Sequence, residues 1–100
     1  MNLMNAWNEQ QLWSAETFGP RVTRGPIGPL KHLRKEAKEA IAAPGDIKEY
    51  ADCIILIIDA CWRAGFTPSQ MEAAVNLKVA ENKLRTYPMP NGDEISEHVK

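Results

Sequence analysis

What this sequence lacks first is charge of one sign. Its 12 Lys and Arg nearly offset its 13 Asp and Glu, leaving a formal net charge of −1 over 100 residues. No overall basic field draws such a chain to nucleic acid or to anionic lipid. Any phosphate it binds has to be held by local groups or by metal ions. Cysteine is scarce: Cys53 and Cys61 are the 2 present, eight residues apart in one expected helix. At a rise of about 1.5 Å per residue their α-carbons lie ~12 Å apart, too far for a disulfide. With no CxxC spacing and no histidine beside them, a zinc site is not expected. They read as small buried hydrophobes of a reducing compartment. Long apolar runs are missing too. The most apolar stretch, Cys53–Ile58, is bracketed by Asp52 and Asp59 and is too short to span a bilayer. The polar start, Met1–Trp13, has no basic segment followed by an apolar run, so no signal peptide is expected. These absences point to a soluble, cytoplasmic protein without nucleic-acid or membrane partners. No GK[ST] ends a glycine-rich loop, and Ser14, Ser69 and Ser96 have no nucleophile-elbow context. The histidines, His32 and His98, do not follow a glutamate by three, as a di-iron or di-manganese bundle requires. There are no internal repeats and no low-complexity segment.

What is present is helical periodicity in a chain the length of one domain. Residues 1–29 read as an irregular arm holding a short helix around Ala6–Glu16. Gly19, Pro20, Gly25, Pro26, Gly28 and Pro29 make the rest of it loop. Leu30, Leu33, Ala37, Ala40 and Ile41 then fall on one side of a helix from Leu30 to about Ala42, ended by Pro44-Gly45. A second helix starts at the N-cap Asp46 and continues to about Ala64, with Gly65 at the left-handed position after it. A buried strand over Cys53–Ile58 is the rival reading, but no turn signal lies between Ile47 and Ala64 and no second strand is available to pair with it. This helix is apolar on nearly every side and so expects cover on nearly every side. A third helix opens with Thr67, Pro68 and Gln70 as a capping box, with Phe66 and Met71 as a hydrophobic staple. It runs to about Thr86, where Pro88 and Pro90 stop it. The helical core spans 30–87 and a flexible tail 88–100. A domain this thin is expected to complete its core by self-association.

Two acidic pairs stand out, Glu36-x-x-Glu39 and Glu49-x-x-Asp52, each placing two carboxylates on one helix face. Helices joined by a short turn pack antiparallel, which brings the pairs together. Converging carboxylates repel unless something compensates, and oxygen clusters of this kind suit Mg²⁺ or Mn²⁺ with substrate phosphates completing the shell. Each pair also has an ordinary reading. Glu-x-x-Glu is common on exposed helices, and Glu49, at N3 from Asp46, can simply close a capping box. Asp52, beside the most apolar segment, is the hardest to explain away. Asp59, seven residues on, lies on the same face. His32, one turn before Glu36, is either its hydrogen-bonding support or a partly buried surface histidine. Lys78, Asn82 and Arg85 share a face of the third helix. They are either a phosphate-gripping donor set or a solvated face on which Glu81 and Arg85 pair. Trp13 and Phe18 either stack on a base or anchor packing.

Taken in order, Glu36-x-x-Glu39, Glu49-x-x-Asp52 and Lys78-x-x-x-Asn82-x-x-Arg85 resemble the MazG-like all-α NTP pyrophosphohydrolases. Thr17-Phe18-Gly19, His32 through Glu36, Trp62 through Phe66 and Lys78 through Pro88 are similar to the dATP/dGTP pyrophosphohydrolase subgroup, frequent in bacteriophages and including the MazZ-like enzymes. The resemblance covers residues 13–88. It implies a MazG-like helical bundle completed by dimer or tetramer formation. It also implies cleavage of a purine (deoxy)nucleoside triphosphate between its α- and β-phosphates, giving monophosphate and pyrophosphate. Carried over, Glu36, Glu39, Glu49 and Asp52 would hold Mg²⁺ (Mn²⁺ substituting). Glu39, with Glu36, would act on the attacking water, and Lys78, Asn82 and Arg85 would bind the polyphosphate. Trp13 and Phe18 are candidates for the base, and His32 and Asp59 for support behind the metal ligands. A MazZ-like member would turn dGTP into dGMP for 2-aminoadenine phage DNA and work in the host cytoplasm. One departure is the short Pro44-Gly45 connection, at the compact end of the pattern. The alternative is a non-catalytic helical module that binds a nucleotide or a host factor.

Overall fold

The computed structural model describes residues 3–99; Met1, Asn2 and Lys100, the outer ends of the expected arm and tail, lie outside them. Among the described residues the protein is all-α. Its helices are α1 (Leu3–Phe18), α2 (Ile27–Ala42), α3 (Ile47–Arg63) and α4 (Pro68–Leu84). The only extended pairing among the described residues is a single bridge between Thr86 and Val99. The chain divides into two compact units, one reaching to Pro68 and one from Ser69 onward.

The first unit holds α1, α2 and α3, with α3 packed on both of the others. The arm expected to be irregular is mostly helix. α1 runs for 16 residues, extending the expected Ala6–Glu16 helix at both ends, and α2 starts at Ile27, not Leu30. Pro29 is tolerated there because a first-turn N–H has no intrahelical partner in any case, and its ring is buried. The loop shrinks to residues 19–26, and Gly19 opens it with φ +99, a conformation that glycine adopts without penalty.

α3 has the boundaries its sequence announces. Asp46 is the N-cap, and its side chain accepts from the Lys48 backbone N–H at 3.0 Å. At the other end Gly65 has φ +96. Its N–H donates to the Trp62 carbonyl at 2.9 Å, and the Phe66 N–H donates to the Cys61 carbonyl at 3.2 Å. This is a Schellman closure. The turn between α2 and α3 occupies residues 43–46 and is fastened by the Tyr50 hydroxyl, which donates to the Pro44 carbonyl at 2.7 Å.

The core of this unit is small and sits where α1 meets the C-terminal half of α3. Trp7, Ser14, Ile58, Ala60 and Trp62 are buried there. Farther along α3 the apolar surface stays open: Ile58 is 1% exposed but Ile54 is 49% exposed. In the second unit α4 contributes no buried residue among those described. Past α4 the chain folds back on itself. The Val99 N–H donates to the Thr86 carbonyl at 2.6 Å, the Ser96 hydroxyl to the Pro88 carbonyl at 2.6 Å, and the Tyr87 and His98 rings meet edge to face.

Candidate metal centre and adjoining cavity

The two acidic pairs meet through the α2–α3 hairpin. One carboxylate oxygen from each of Glu36, Glu49 and Asp52 lies within 4.8 Å of the others. Glu39 stands beside this trio. The Glu36 carboxyl hydrogen-bonds to it and repels its charge, desolvation and Glu49 add to the effect, and its pKa rises despite the opposing Lys35.

Burial within the cluster is the reverse of what the sequence suggests. Asp52, next to the apolar run, is exposed, because it lies in the N-terminal half of α3, ahead of the buried stretch that begins at Ile58. Glu49 is the desolvated member: its Oε2 is buried and has no hydrogen-bond partner among the described residues. Nor does Glu49 close a capping box, since the Asp46 N–H donates to the Ala43 carbonyl at 3.1 Å. A buried carboxylate oxygen without a donor is costly. A hard divalent cation is the partner that three oxygens at this spacing suit, so the residues present fit Mg²⁺ or Mn²⁺. His32 Nε2 lies 3.0 Å from Glu36 Oε1, in position to orient that carboxylate.

A cavity of about 220 Å³ adjoins the carboxylates, with His32, Glu36 and Asp52 on its wall. Gln10, Trp13, Phe18 and Asp59 line it as well, and Ile55 and Leu56 complete the lining. Trp13 and Phe18 meet edge to face at 5.3 Å between ring centroids. Both remain half exposed, so they are free to cover a ligand and are not consumed as core. The Arg24 guanidinium lies 5.8 Å from the Phe18 ring centroid, at the range of a cation–π contact.

Asp59 is buried and is held from behind. The Arg63 Nε donates to both of its oxygens, at 3.2 and 3.3 Å. Arg63 also donates through Nη1 to the Arg24 carbonyl at 2.8 Å. Through Nη2 it donates to the Ser14 carbonyl at 3.2 Å and to the Ser14 hydroxyl at 2.7 Å. One guanidinium thus ties α1, the 19–26 loop and α3 together. The sequence gives Arg63 and Ser14 no role at this site and does not single out Gln10. The signal for Gln10 was its place one turn before Trp13, and for Arg63 its place one turn after Asp59.

Lys78, Asn82 and Arg85 belong to the second unit, Lys78 and Asn82 on one face of α4 and Arg85 just past its end. Glu81 lies 3.2 Å from Lys78 Nζ and 3.8 Å from Arg85 Nη2. The Tyr87 hydroxyl donates to Asn82 Oδ1 at 3.2 Å.

A helical hairpin that gathers three carboxylates, beside a cavity with aromatic rings on its wall, places this chain among all-α proteins with an acidic centre. Comparison with known proteins names the family. The sequence model of the dATP/dGTP pyrophosphohydrolase family matches residues 6–100, and the chain belongs to that family. It is also similar to the Eaa protein of Salmonella phage P22, with 44% identity over 92 residues, which is 92% of this chain and 28% of that protein. The chain therefore spans little more than a quarter of the curated relative it matches. No solved structure matches it. No helix among the described residues is long and apolar enough to cross a membrane.

Proposed function

We propose that this protein is a Mg²⁺-dependent (d)NTP pyrophosphohydrolase that converts dGTP or dATP to the monophosphate and pyrophosphate, with Mn²⁺ able to replace Mg²⁺. The observation that carries the reading is the convergence of Glu36, Glu49 and Asp52 oxygens within 4.8 Å, with Glu49 Oε2 buried and unpartnered among the described residues. Glu36, Glu49 and Asp52 would hold the metal, with Glu39 at their margin. Bound there, the ion would neutralise phosphate charge and acidify a water.

The chain's own residues supply the rest. Glu39, whose raised pKa makes it a better proton acceptor than an ordinary carboxylate, takes the proton of the attacking water. Glu36, steadied by His32, keeps its carboxylate aimed at the cluster. Trp13 and Phe18 cover the base, and Lys78, Asn82 and Arg85 are the donors that the family resemblance assigns to the polyphosphate. Self-association belongs to this reading: Ile54, Ile55 and Ile57 are all more than a third exposed, more apolar surface than one helix of a monomer leaves in water. A MazZ-like supply of dGMP for 2-aminoadenine DNA in the cytoplasm of a phage-infected host is its most specific form.

The test incubates the protein with each of the eight standard NTPs and dNTPs and Mg²⁺, and measures pyrophosphate. Pyrophosphate with monophosphate, abolished by EDTA and by Glu49→Gln, is expected. Release of single phosphate, or turnover indifferent to EDTA, overturns it. A helical interaction module accounts for the open isoleucines but leaves Glu49 Oε2 without a reason to be buried.

A further inference from the structure

The clustered carboxylates all come from one hairpin: Glu36 stands on α2, and Glu49 and Asp52 on α3. The short 43–46 turn fixes those two helices to each other. The aromatic part of the cavity wall, Trp13 and Phe18, comes from α1. Only the 19–26 loop joins α1 to that hairpin, so chain connection alone does not fix where the rings stand. Packing around Trp7 and Ile58 contributes, and so does Arg63. Each group that Arg63 holds leads to the wall. Asp59 lines the cavity and accepts from Nε. Ser14, which takes Nη2 on its hydroxyl and its carbonyl, directly follows Trp13. The Arg24 carbonyl takes Nη1, and the guanidinium of Arg24 lies over Phe18. The Arg63 side chain is 0% exposed, so it touches no ligand and acts only through the groups it holds.

We infer that Arg63 is a positioning residue of the nucleotide site, setting the aromatic wall carried by α1 against the carboxylates of the α2–α3 hairpin. The inference rests on the cavity being the nucleotide site of the proposed hydrolase. A rigid planar fork of donors lets one side chain hold α1, the loop and α3 in a single geometry. The Trp62 ring, 5.0 Å from the guanidinium, stacks on it and holds its plane. A wall fixed before the ligand arrives costs no ordering on binding. The carboxylates do not depend on this tie, since their hairpin is closed by its own turn. Arg63 therefore governs affinity for the nucleotide and leaves affinity for the metal alone.

The test separates those two affinities. Wild type and Arg63→Lys are each titrated with Mn²⁺ alone, with free ion counted by electron paramagnetic resonance. At saturating Mn²⁺ each is then titrated calorimetrically with the α,β-methylene analogues of dGTP and dATP. Lysine keeps a positive charge beside Asp59 but has no fork with which to hold Ser14 and the Arg24 carbonyl. Analogue affinity is expected to fall by on the order of tenfold or more, with Mn²⁺ affinity within about twofold of wild type. With cleavable triphosphate, KM rises by a similar factor and kcat stays within about twofold. Ser14→Ala, which removes the hydroxyl and keeps the carbonyl, moves analogue affinity the same way by about threefold. Unchanged analogue affinity in folded Arg63→Lys overturns the inference. So does an equal loss of Mn²⁺ and analogue affinity, which marks Arg63 as support for the fold alone. If either result comes with pyrophosphate still released by the wild type, the hydrolase reading stands. Wild type that binds neither analogue overturns the nucleotide site and this inference together. If Arg63→Lys does not fold, the same two titrations on Ser14→Ala decide.

Discussion

Replacing Arg63 by methionine is expected to bring this protein close to unfolding, for reasons that can be counted. The Arg63 side chain is 0% exposed and that of Asp59 6%, so water does not replace what is lost. The substitution strips Asp59 of its counter-charge and leaves the Ser14 and Arg24 carbonyls and the Ser14 hydroxyl without their donor. Removing one partner of a buried pair costs about 3–5 kcal/mol, against a total stability of roughly 5–15 kcal/mol for a domain. For a chain of this size each kcal/mol moves Tm by about 4–8 °C, so a fall of about 12–40 °C is expected. Thermal and guanidinium unfolding followed by circular dichroism measure it. Adding Asp59→Leu to Arg63→Met removes the stranded charge and is expected to recover part of the loss, with a coupling of about 0.5–3 kcal/mol. The Ser14 and Arg24 carbonyls stay unsatisfied, so recovery is incomplete. A single mutant within about 2 °C of wild type, or a double mutant no better than the single, would refute the account of Arg63 as the tie between α1, the 19–26 loop and α3.

Other consequences are as concrete. Mg²⁺ is expected to raise the Tm of the wild type, by about 2.7 kcal/mol of added stability at a hundred times its Kd, and to do little for Glu49→Gln; differential scanning fluorimetry across a metal titration tells them apart. In EDTA, Glu39→Gln is expected to melt above wild type at pH 7. A carboxyl whose folded pKa is raised binds protons more tightly folded than unfolded, so its contribution to stability falls as pH rises through the folded value. The gap between the two proteins should therefore close as pH drops toward the ordinary value of 4.5, and a gap that is constant or widens at low pH contradicts the assignment. Burial raises the pKa of the Cys61 thiol, so Cys61 should resist alkylation by iodoacetamide at pH 7, as mass spectrometry of the digested protein can show; rapid quantitative labelling in the native protein would contradict it. Gly19→Ala meets both a positive φ and the Thr23 hydroxyl at 2.9 Å, and should lower Tm by several degrees through about 1 kcal/mol or more of strain.

Much of this was legible in the residues. Asp46 and Gly65 fix the ends of α3 through local hydrogen bonds, and local chemistry is what a single sequence displays. The spacing of Glu36, Glu49 and Asp52 and the shortness of the turn were enough to bring the carboxylates together. Which of them is desolvated was not legible. The neighbours of Asp52 along the chain are apolar, but burial follows which part of α3 is covered: Asp59 on the same face is buried, while Asp52 is exposed and Glu49 Oε2 buried. The extent of α1 was hidden because its buried face is built from Trp7 and Ser14, two turns apart, and a serine does not read as a core position. Ser14 is buried because Arg63 comes to it from 49 residues away, and no local pattern announces such a partner.

Asp52 and Asp59 are seven residues apart on a single continuous helix, which sets them about 10.5 Å apart along its axis on the wall of one cavity. α3 is in effect a ruler graduated in turns. The carboxylate cluster and the Asp59–Arg63 pair are marks on the same rigid rod, so they keep their separation whatever the loops do. Swapping Ile55 or Leu56 for other apolar side chains would reshape the floor between the marks and leave the marks alone. Adding or deleting one residue between them would swing the far mark about 100° around the rod and take Asp59 off the wall it shares with Asp52.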